Sequence, residues 1–444
     1  MNKSEKILII GAGLCGSLLA LRLAQRGYDI QLRESRPDLR KHSISAGRSI
    51  NLAFSNRGMK ALEMAGVLDK VMHLCIPMHG RMVHTLEQSS FMAPYSGRSD
   101  EYINSISRGE LNGVLLTEVE KYDNVEVIFE SPCSSYDQVS SVATFSTKDG
   151  VEIVNADIVI GADGAGSVVR NSIIDKEEVS VSFLDHGYKE LRIPPSENGG
   201  FRTEQHALHI WPRGQYMLIA LPNLDGSFTV TLFLENKGAI NSFEYLNSEI
   251  RIRQFFEEQF PDALELMPNL IEEFKENPVG LLGTVKSNSW VHGSTLLIGD
   301  AAHAIVPFYG QGMNASFEDV LVLDKFIDKY NGDWETIFAA YAQERKQDAD
   351  AIADLAVENF YEMRDHVANP DFKRKRAIEL ELEKSHNYYS KYSMVTFRED
   401  IPYAVAKAQG NYQDKVLLDL IRNGQINAMS NEEILSKVQN YEHE

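Results

Sequence analysis

The segment that most constrains the fold is Lys6–Ser35, KILIIGAGLCGSLLALRLAQRGYDIQLRES, where a short apolar run leads into three glycines and then a helical spacing of leucines. Gly11 permits a tight turn, Gly13 lets the backbone approach a pyrophosphate, and Gly16 lets a helix pack on the strand. A second apolar run ends in Glu34, whose carboxylate would meet a ribose hydroxyl. This order of strand, turn, helix, strand and acid predicts a βαβ unit that binds a dinucleotide.

The composition is that of an ordinary globular protein, with 444 residues, of which 43% are hydrophobic and 24% charged. The net charge of -20 argues against nucleic acid or an anionic membrane as the main partner. The cysteines Cys15, Cys75 and Cys133 are scattered and form no CxxC motif, which favours a reducing compartment. The apolar run within the first ten residues is too short for a signal peptide. No stretch of the sequence is long and apolar enough for a membrane helix. We therefore expect a cytoplasmic protein.

The sequence pattern predicts an α/β fold with three regions. Residues 1–175 and 286–332 alternate strands and helices and form one Rossmann-like domain that is discontinuous in sequence. Residues 176–285 are rich in β-type runs and predict a mixed β-sheet domain. Residues 333–444 have helical spacing and predict a helical C-terminal region, in which the basic run at 373–376 is expected to be a solvated helix face. A loop is expected near 36–47.

Two further glycine turns follow apolar strands, namely Gly161-Ala162-Asp163-Gly164 and Gly299-Asp300. A single NAD-dependent dehydrogenase domain would explain only the first turn at Gly11. The three motifs in this order resemble those of the single-component flavin monooxygenases of the aromatic-hydroxylase type, which implies FAD as the cofactor. In the simplest alternative, Asp163 only caps a turn and Asp300 only begins a helix.

The segment Gly310-Gln311-Gly312-Met313-Asn314-Ala315 matches GxGxxA, the pattern of a second dinucleotide site. It does not follow a strand directly, because Pro307 and Phe308 intervene. We expect instead a loop that opens a helix from about Ser316, with backbone N–H groups facing the flavin. NADPH would then dock transiently, as it does in the family that the sequence resembles.

Shorter segments sharpen the resemblance to the members of that family that hydroxylate L-kynurenine. They are RSINLA (48–53), MHGRMVH (78–84), LHIWP (208–212), IALPN with SFTVTLF, PFYGQGMN (307–314) and YSMVTF (392–397). The resemblance implies conversion of L-kynurenine to 3-hydroxykynurenine with NADPH and O2, through a C4a-hydroperoxyflavin, in the kynurenine pathway of tryptophan degradation. Eukaryotic members carry an additional C-terminal membrane segment, so a soluble bacterial form is expected.

The resemblance also implies roles for individual residues. Substrate contacts fall near residues 75–110 and in the helical region, at Arg81, Tyr95, Asn359 and Tyr392. Positions implied for the cofactor are Gly11, Gly13, Cys15, Gly16, Glu34, Arg36, Ala53, Arg108, Cys133, Asp163, Val168, Asp300, Gly312, Met313 and Asn314. Cys15 and Cys133 are expected as small backbone-contact positions, not redox thiols. No general base is assigned, because the ring amino group of the substrate already activates the carbon that is attacked.

Three other functions stay open from the sequence. One is an FAD-dependent hydroxylase of another aromatic carboxylic acid, in which Arg81 would still bind a carboxylate. A second is a flavin reductase or halogenase, and a third is a non-catalytic flavoprotein that senses redox state. The sequence contains no HExxH, CxxC or GxSxG motif, so neither a metal site nor a hydrolase nucleophile is predicted.

Overall fold

The structure is a computed structural model that describes residues 5–41, 51–86, 89–365 and 369–439, with only the backbone of residues 363–365. Residues 42–47, the second half of the loop expected near 36–47, lie outside the described residues, as do residues 48–50 of the RSINLA segment. The first four and last five residues of the chain lie outside them too.

The strands are β1 (Lys6–Ile10), β2 (Asp29–Arg33), β3 (Asn51–Phe54), β4 (Ile76–Met78), β5 (Gly80–Val83), β6 (Phe91–Pro94), β7 (Ile103–Ser107), β8 (Val125–Ile128), β9 (Cys133–Asp137), β10 (Val142–Thr147), β11 (Gly150–Asn155), β12 (Ile158–Gly161), β13 (Val179–Ile193), β14 (Ala207–Pro212), β15 (Met217–Pro222), β16 (Phe228–Glu235), β17 (Gly280–Ser287), β18 (Val291–His292) and β19 (Thr295–Leu297).

The helices are α1 (Leu14–Gln25), α2 (Asn56–Met64), α3 (Leu68–Met72), α4 (Arg108–Val119), α5 (Val168–Ile173), α6 (Glu249–Gln259), α7 (Pro261–Leu264), α8 (Leu270–Glu276), α9 (Asp300–His303), α10 (Gly312–Tyr330), α11 (Trp334–Asp365), α12 (Pro370–Ser385), α13 (Lys391–Phe397), α14 (Tyr403–Arg422) and α15 (Asn431–Gln439). Short 3₁₀ turns lie at Lys176–Glu178, Pro307–Tyr309 and Gln425–Ala428.

The chain divides into two compact units, each made of three segments. Unit 1 comprises residues up to Cys75, Ile106–Phe183 and Gly283–Ala353, and unit 2 comprises Ile76–Ser105, Leu184–Leu282 and the residues from Asp354 onward. The boundaries expected at 175, 285 and 332 stay a prediction.

Unit 1 is built on a sheet with strand order β18-β19-β12-β1-β2-β8. Strand β1 pairs in parallel with β2 and with β12, in the registers Ile9↔Leu32 and Ile9↔Ile160. The residues Ile7–Ile10 are buried on both faces, which is why this strand reads as a continuous apolar run. Because β1, β2, β12 and β19 are parallel, their carboxyl ends meet at one edge, and the three glycine turns emerge there.

Helix α1 is buried along most of its length, with Leu18, Leu21 and Leu23 packed in the core of unit 1. Helix α10 packs in the same core through Phe317, Val320 and other apolar residues. It begins at Gly312, four positions before the expected start near Ser316. The 3₁₀ turn Pro307–Tyr309 closes at Gly310, so helical geometry resumes at once after the loop.

Unit 2 contains a mostly antiparallel sheet with neighbours β13-β16-β15-β14-β5-β6, in which β14 and β5 run parallel. The sheet is therefore mixed, as expected. Helices α6, α7 and α8 cover one of its faces, and the sequence analysis missed them. Their apolar residues Ile252, Phe255 and Phe256 have the i, i+3, i+4 spacing of an amphipathic helix and are buried against the sheet residues.

The C-terminal part of unit 2 is helical, as expected, but the basic run at 373–376 is not simply a solvated face. Lys375 is only 5% exposed, and its ammonium group lies 2.5 Å from Asp414 and 3.6 Å from Glu379. Lys373 and Arg374 face solvent. The expectation was wrong for Lys375 because its compensating carboxylate on α14 lies far away in sequence and closes over it only in the folded chain.

In the described residues, no helix is both long and apolar enough to span a bilayer.

We expect Lys375→Ala to lower the free energy of unfolding by about 3–5 kcal/mol, because it leaves the buried carboxylate of Glu379 without its lysine partner, whereas Asp414 keeps Lys391 at 2.7 Å. Lys373→Ala on the same helix changes an exposed lysine and should cost less than about 0.5 kcal/mol. Urea unfolding of both variants measures the difference, and equal effects would contradict a buried ion pair at Lys375.

Candidate functional site

The first glycine turn of unit 1 brings three backbone segments into contact. Gly11 has φ +105°, and a Cβ there would lie 2.3 Å from the Ala162 carbonyl oxygen. A Cβ on Gly16 would lie 2.0 Å from the Gly11 carbonyl oxygen. Only glycine fits at these two positions, because the Cβ of any other residue would lie well inside van der Waals distance of a backbone oxygen.

Gly13 lies beside open space, since no atom of the described residues comes within 4 Å of its ideal Cβ. It is the N-cap of α1, whose first turn has no acidic residue and no side-chain cap. Among the residues that the structure describes, the first N–H groups of this helix therefore have no side-chain cap as acceptor. A helix N-terminus that a ligand backbone can approach closely suits a pyrophosphate, so this turn fits the phosphates of FAD.

Glu34 follows β2 directly, and its carboxylate is 6% exposed. Its Oε2 accepts a hydrogen bond from the Ala12 N–H at 2.9 Å, and Oε1 accepts from Nε of Arg36 at 2.8 Å. Burial alone would raise the pKa of Glu34, but the hydrogen bonds and charge of Arg36, with the Ala12 N–H, lower it. Glu34 is thus a fixed anionic acceptor at the end of β2, where a ribose is expected.

The second glycine turn is organised by Asp163, whose carboxylate accepts from the Ser167 hydroxyl at 2.5 Å and the Val168 N–H at 2.7 Å. Burial raises the pKa of Asp163, and these hydrogen bonds oppose the shift. Asp163 therefore caps helix α5, the simple role that the sequence left open. Its role toward a cofactor stays a prediction, as does that of Val168.

The third turn starts at Gly299, which has φ +60° and a Cβ direction blocked by Sγ of Cys15 at 3.0 Å. Asp300 follows as the first residue of α9 and its side chain is accessible to solvent. Many protein atoms nevertheless surround it, so desolvation raises its pKa, while the Arg108 guanidinium opposes the shift. An accessible carboxylate at this sheet edge can accept hydrogen bonds from ribityl hydroxyls.

Arg170, which the sequence analysis did not single out, links the second and third turns. It is 4% exposed and donates to the Ala301 carbonyl at 3.0 Å and to the Ala165 carbonyl at 2.7 Å. Desolvation lowers the pKa of Arg170, and Asp163 partly opposes this. One guanidinium thus holds both turns in a fixed spacing, although nothing local in the sequence distinguishes it from a surface arginine.

The start of α10 is held by Asn314, which is fully buried. Its amide nitrogen donates to the carbonyls of Ala53 at 2.8 Å and Gly310 at 2.9 Å, and its oxygen accepts from the Ser55 N–H at 3.0 Å. Asn314 therefore fixes the backbone at Ala53, another candidate cofactor residue, and at Gly310. Met313 beside it is 8% exposed. The N-terminus of α10 at Gly312 has no side-chain cap in the described part of the chain, and it suits a polar edge of a flavin.

A buried charge network lies beneath the third turn, and the sequence analysis missed it. The Asp319 carboxylate accepts from Nε2 of His303 at 2.5 Å, Nε of Arg345 at 2.9 Å and the Gly299 N–H at 3.2 Å. Arg345 also lies 3.0 Å from Glu318. Burial alone would raise the pKa of Asp319 and lower that of His303, but their mutual attraction reverses both directions. Arg345 helps to lower the pKa of Asp319 and opposes the rise in the pKa of His303.

The thiols of the two candidate cysteines, Cys15 and Cys133, do not ionise readily. Burial, with Asp319 and Asp300 nearby, raises the pKa of Cys15 well above its ordinary value. Burial raises the pKa of Cys133 to about 11. Both therefore stay protonated near neutral pH, in line with a packing role.

The predicted substrate residues lie in unit 2. The rings of Tyr95 and Tyr392 stack with centroids 5.7 Å apart and planes within 10°. The Arg81 guanidinium carbon lies 5.1 Å from the Tyr95 ring centroid and 4.7 Å from that of Tyr392. Strand β5, the residue after β6 and helix α13 thus bring one cation and two phenols together, a constellation suited to an organic carboxylate.

Tyr95 is 1% exposed, and its hydroxyl has no hydrogen-bond partner among the described residues. Burial and the neighbouring Tyr392 raise the pKa of Tyr95 well above its ordinary value, and Arg81 opposes the shift. The hydroxyl is thus a neutral donor whose hydrogen bond remains to be made, which is costly unless a ligand accepts it.

Asn359 lies half-buried on α11. Its neighbour Phe360 makes an edge contact with the buried His186 of β13, with ring centroids 5.0 Å apart, and this fixes that part of the helix. The expected cofactor residues thus all lie in unit 1 and the expected substrate residues all lie in unit 2. No group of three or more His, Cys, Asp or Glu side chains in the described ranges is arranged to hold a metal ion.

We expect Gly11→Ala to abolish FAD retention, because φ +105° and the contact with Ala162 leave no room for a methyl group. Backbone strain alone should cost at least about 1–2 kcal/mol of stability. Gly113→Ala in α4 is a matched control, because its Cβ would meet Arg40 at an ordinary 3.5 Å. Flavin absorbance after gel filtration measures retention, and a yellow Gly11→Ala protein would contradict the role of this turn.

We expect the buried His303–Asp319 pair to make stability depend on pH. The raised pKa of His303 means that its contribution is complete below the unfolded pKa of about 6.5 and is lost as the pH rises through the folded pKa. The lowered pKa of Asp319 means that its contribution is lost only as the pH falls through its folded pKa.

His303→Gln should therefore cost about 1.5–3 kcal/mol near pH 6 and remove the alkaline loss of stability that His303 is expected to cause in the unmodified protein. The exposed His292→Gln serves as control. Urea unfolding between pH 6 and 9 measures both, and an unchanged alkaline slope in His303→Gln would contradict the assignment.

Comparison with known proteins agrees with this geometry. The profile described as "FAD binding domain" matches residues 4–196 and 274–356. The chain is 44% identical over 436 residues to a kynurenine 3-monooxygenase of Dictyostelium discoideum, covering 94% of each chain. It is 45% identical over 444 residues to a kynurenine 3-monooxygenase of Cytophaga hutchinsonii, covering 98% of each chain.

Among solved structures, 2-methyl-3-hydroxypyridine-5-carboxylic acid oxygenase resembles the chain with a TM-score of 0.66 at 21% identity, over 88% of this chain and 96% of that one. This likeness supports the fold alone. The predicted α/β fold and the FAD cofactor are confirmed. With an FAD-binding domain over more than half of its length and this identity over nearly all of it, the chain belongs to the kynurenine 3-monooxygenase family.

Proposed function

We propose that this protein hydroxylates L-kynurenine to 3-hydroxykynurenine, with FAD as the bound cofactor, NADPH as the reductant and O2 as the oxygen source. The observation that carries the proposal is the cluster of Arg81, Tyr95 and Tyr392, which offers a cation and a neutral donor for an amino-acid carboxylate. The names of the relatives in the family support the choice of substrate.

Unit 1 supplies the cofactor site in this proposal. The turn at Gly11–Gly16 and the N-terminus of α1 would hold the pyrophosphate, and Glu34 would accept from the adenosine ribose. Asp300, with Arg108 nearby, would meet the ribityl chain, and the N-terminus of α10 would face the polar edge of the flavin. The remaining candidates act mainly as close backbone neighbours: Cys15, Arg36, Ala53, Cys133, Asp163, Val168, Gly312, Met313 and Asn314.

Unit 2 supplies the substrate site. The Arg81 guanidinium would hold the carboxylate of L-kynurenine, and the Tyr95 hydroxyl would donate a second hydrogen bond to it. Because the raised pKa of Tyr95 keeps the hydroxyl protonated, this donor persists across the physiological pH range. Tyr392 extends the aromatic wall, and Asn359 offers an amide to the polar part of the substrate.

When bound, FAD supplies the electron transfer from NADPH and the activation of O2. The residues of this chain bind and orient the aromatic ring and keep water away from it. The amino group of the substrate ring already enriches the adjacent carbon in electrons, so no side chain needs to remove a proton before attack.

NADPH consumption by the FAD-loaded protein, with and without L-kynurenine, tests the proposal directly. We expect L-kynurenine to accelerate consumption and 3-hydroxykynurenine to accumulate in proportion. Fast consumption without the hydroxylated product would overturn the substrate assignment. Anthranilate and salicylate in parallel reactions test the alternative of another aromatic acid, and hydroxylation of one of them in place of L-kynurenine would establish that alternative.

We expect Arg81→Ala to raise KM for L-kynurenine about 10- to 150-fold, as loss of one charge-assisted hydrogen bond worth about 1.5–3 kcal/mol requires. FAD content should not change, because Arg81 lies outside the cofactor set. Arg253→Ala on α6 replaces an exposed arginine of the same unit and should leave KM within about twofold. A normal KM in Arg81→Ala would contradict the carboxylate contact.

We further propose a cytoplasmic location. The scattered cysteines without a CxxC pair and the acidic composition support it. Fractionation of source cells, followed by detection of the protein, tests it, and recovery with the membrane fraction would overturn it.

A further inference from the structure

We infer that Glu383 is a positioning residue for substrate binding, which holds Tyr95 and Tyr392 in register although it belongs to neither of their segments. The inference rests on the proposed function, since it concerns the same carboxylate-binding cluster. Glu383 lies on α12, is 2% exposed and has a fully buried side chain. A buried carboxylate is costly unless its oxygens are used, so its partners reveal what it does.

The two carboxylate oxygens of Glu383 connect two separate segments. Oε2 accepts from the Gly97 N–H at 2.9 Å. Oε1 accepts from the Ser390 N–H at 3.1 Å and from the Ser393 hydroxyl at 2.5 Å. The first contact holds the loop two residues after Tyr95. The other two hold the N-terminus of α13, the helix that carries Tyr392.

The Tyr95 loop is tied to α12 by two further features. Arg376, two turns before Glu383 on the same side of α12, donates from Nη2 to the Tyr95 carbonyl at 2.7 Å, and its Nη1 lies 3.9 Å from Oε2 of Glu383. A Cβ on Gly97 would lie 2.3 Å from the Leu380 carbonyl oxygen, so the loop backbone packs directly on the helix. The position of the Tyr95 backbone is thus set from α12 by a charge pair, a glycine contact and two hydrogen bonds.

This arrangement matters because the aromatic cluster is sensitive to relative displacement. Tyr95 stacks on Tyr392, and Arg81 contacts both rings. These contacts persist only while β5, the loop after β6 and helix α13 keep a fixed spacing. Polar contacts weaken steeply when donors and acceptors shift by about 1 Å. Glu383 joins two of these elements through one rigid carboxylate, so it controls how well Arg81 and Tyr95 can converge on a ligand.

The test is Glu383→Gln in the FAD-loaded full-length protein. The carboxamide keeps the size of the side chain but turns one acceptor into a donor, which then faces either the Gly97 N–H or the donors at Ser390 and Ser393. We expect KM and the directly measured Kd for L-kynurenine to rise about 5- to 20-fold. FAD content and NADPH consumption without substrate should stay within about twofold. Calorimetric titration without NADPH provides Kd independently of turnover.

Glu381→Gln is the matched control, because this glutamate on the same helix is exposed and its carboxylate lies 2.7 Å from the ammonium group of the exposed Lys384. It should leave Kd unchanged. A merely structural role for Glu383 would lower the melting temperature and leave Kd for L-kynurenine within about twofold, and that result would overturn the inference. In an Arg81→Ala background, Glu383→Gln should add little to Kd, because both changes affect the same contact.

Ser393→Ala decides the question if Glu383→Gln does not accumulate as folded protein. It removes one donor to Oε1 and keeps the Gly97 and Ser390 contacts, so Kd should rise about two- to fivefold. The exposed Ser385→Ala is its control. An unchanged Kd in Ser393→Ala would then overturn the inference. Failure of the unmodified protein to bind or hydroxylate L-kynurenine would overturn the proposed function first, and the inference with it.

Discussion

The close approach of backbone at Gly11 is the constraint on which unit 1 depends. A hydrogen atom in place of a side chain lets the Gly11 turn touch Ala162, and a second glycine at position 16 lets α1 touch the Gly11 turn. These contacts fix the spacing of β1, β12 and α1. The helix N-terminus can then lie at the carboxyl edge of the sheet, where a phosphate group meets its outward N–H groups.

Buried charged side chains fix the positions of these turns relative to one another, which backbone packing alone does not do. Arg170 fixes the distance between the second and third turns through two carbonyls, and Asp319 fixes the third turn through the Gly299 N–H. In unit 2, Glu383 links two segments in the same manner. Each of these groups is charged, nearly inaccessible and bonded to backbone. The functional surfaces are thus shaped by ionic side chains that lie behind them.

The features of the fold that the sequence predicted are those that depend on residues close together in the chain. The βαβ unit, the glycine turns and the mixed sheet follow from periodicity and from residues close in sequence. Helices α6–α8 were missed although Ile252, Phe255 and Phe256 carried a helical spacing, because the surrounding β-rich runs dominated the interpretation. The start of α10 was misplaced by four residues, since a 3₁₀ turn that closes at Gly310 leaves no spacing signal. The spacing in α6 was therefore present in the sequence, whereas the exact start of α10 was not marked by any periodicity.

The remaining omissions have a different physical origin. Arg345, Asp319 and Lys375 are indistinguishable in sequence from surface charges on amphipathic helices, and their partners lie up to 39 residues away. Burial of such groups is decided by which helix faces meet after folding, and no short window contains that information. The same holds for Arg81, Tyr95 and Tyr392, which come from a strand, a loop and a distant helix. Family resemblance pointed to these three residues, whereas pattern and spacing alone would have left each of them a surface arginine or a core aromatic.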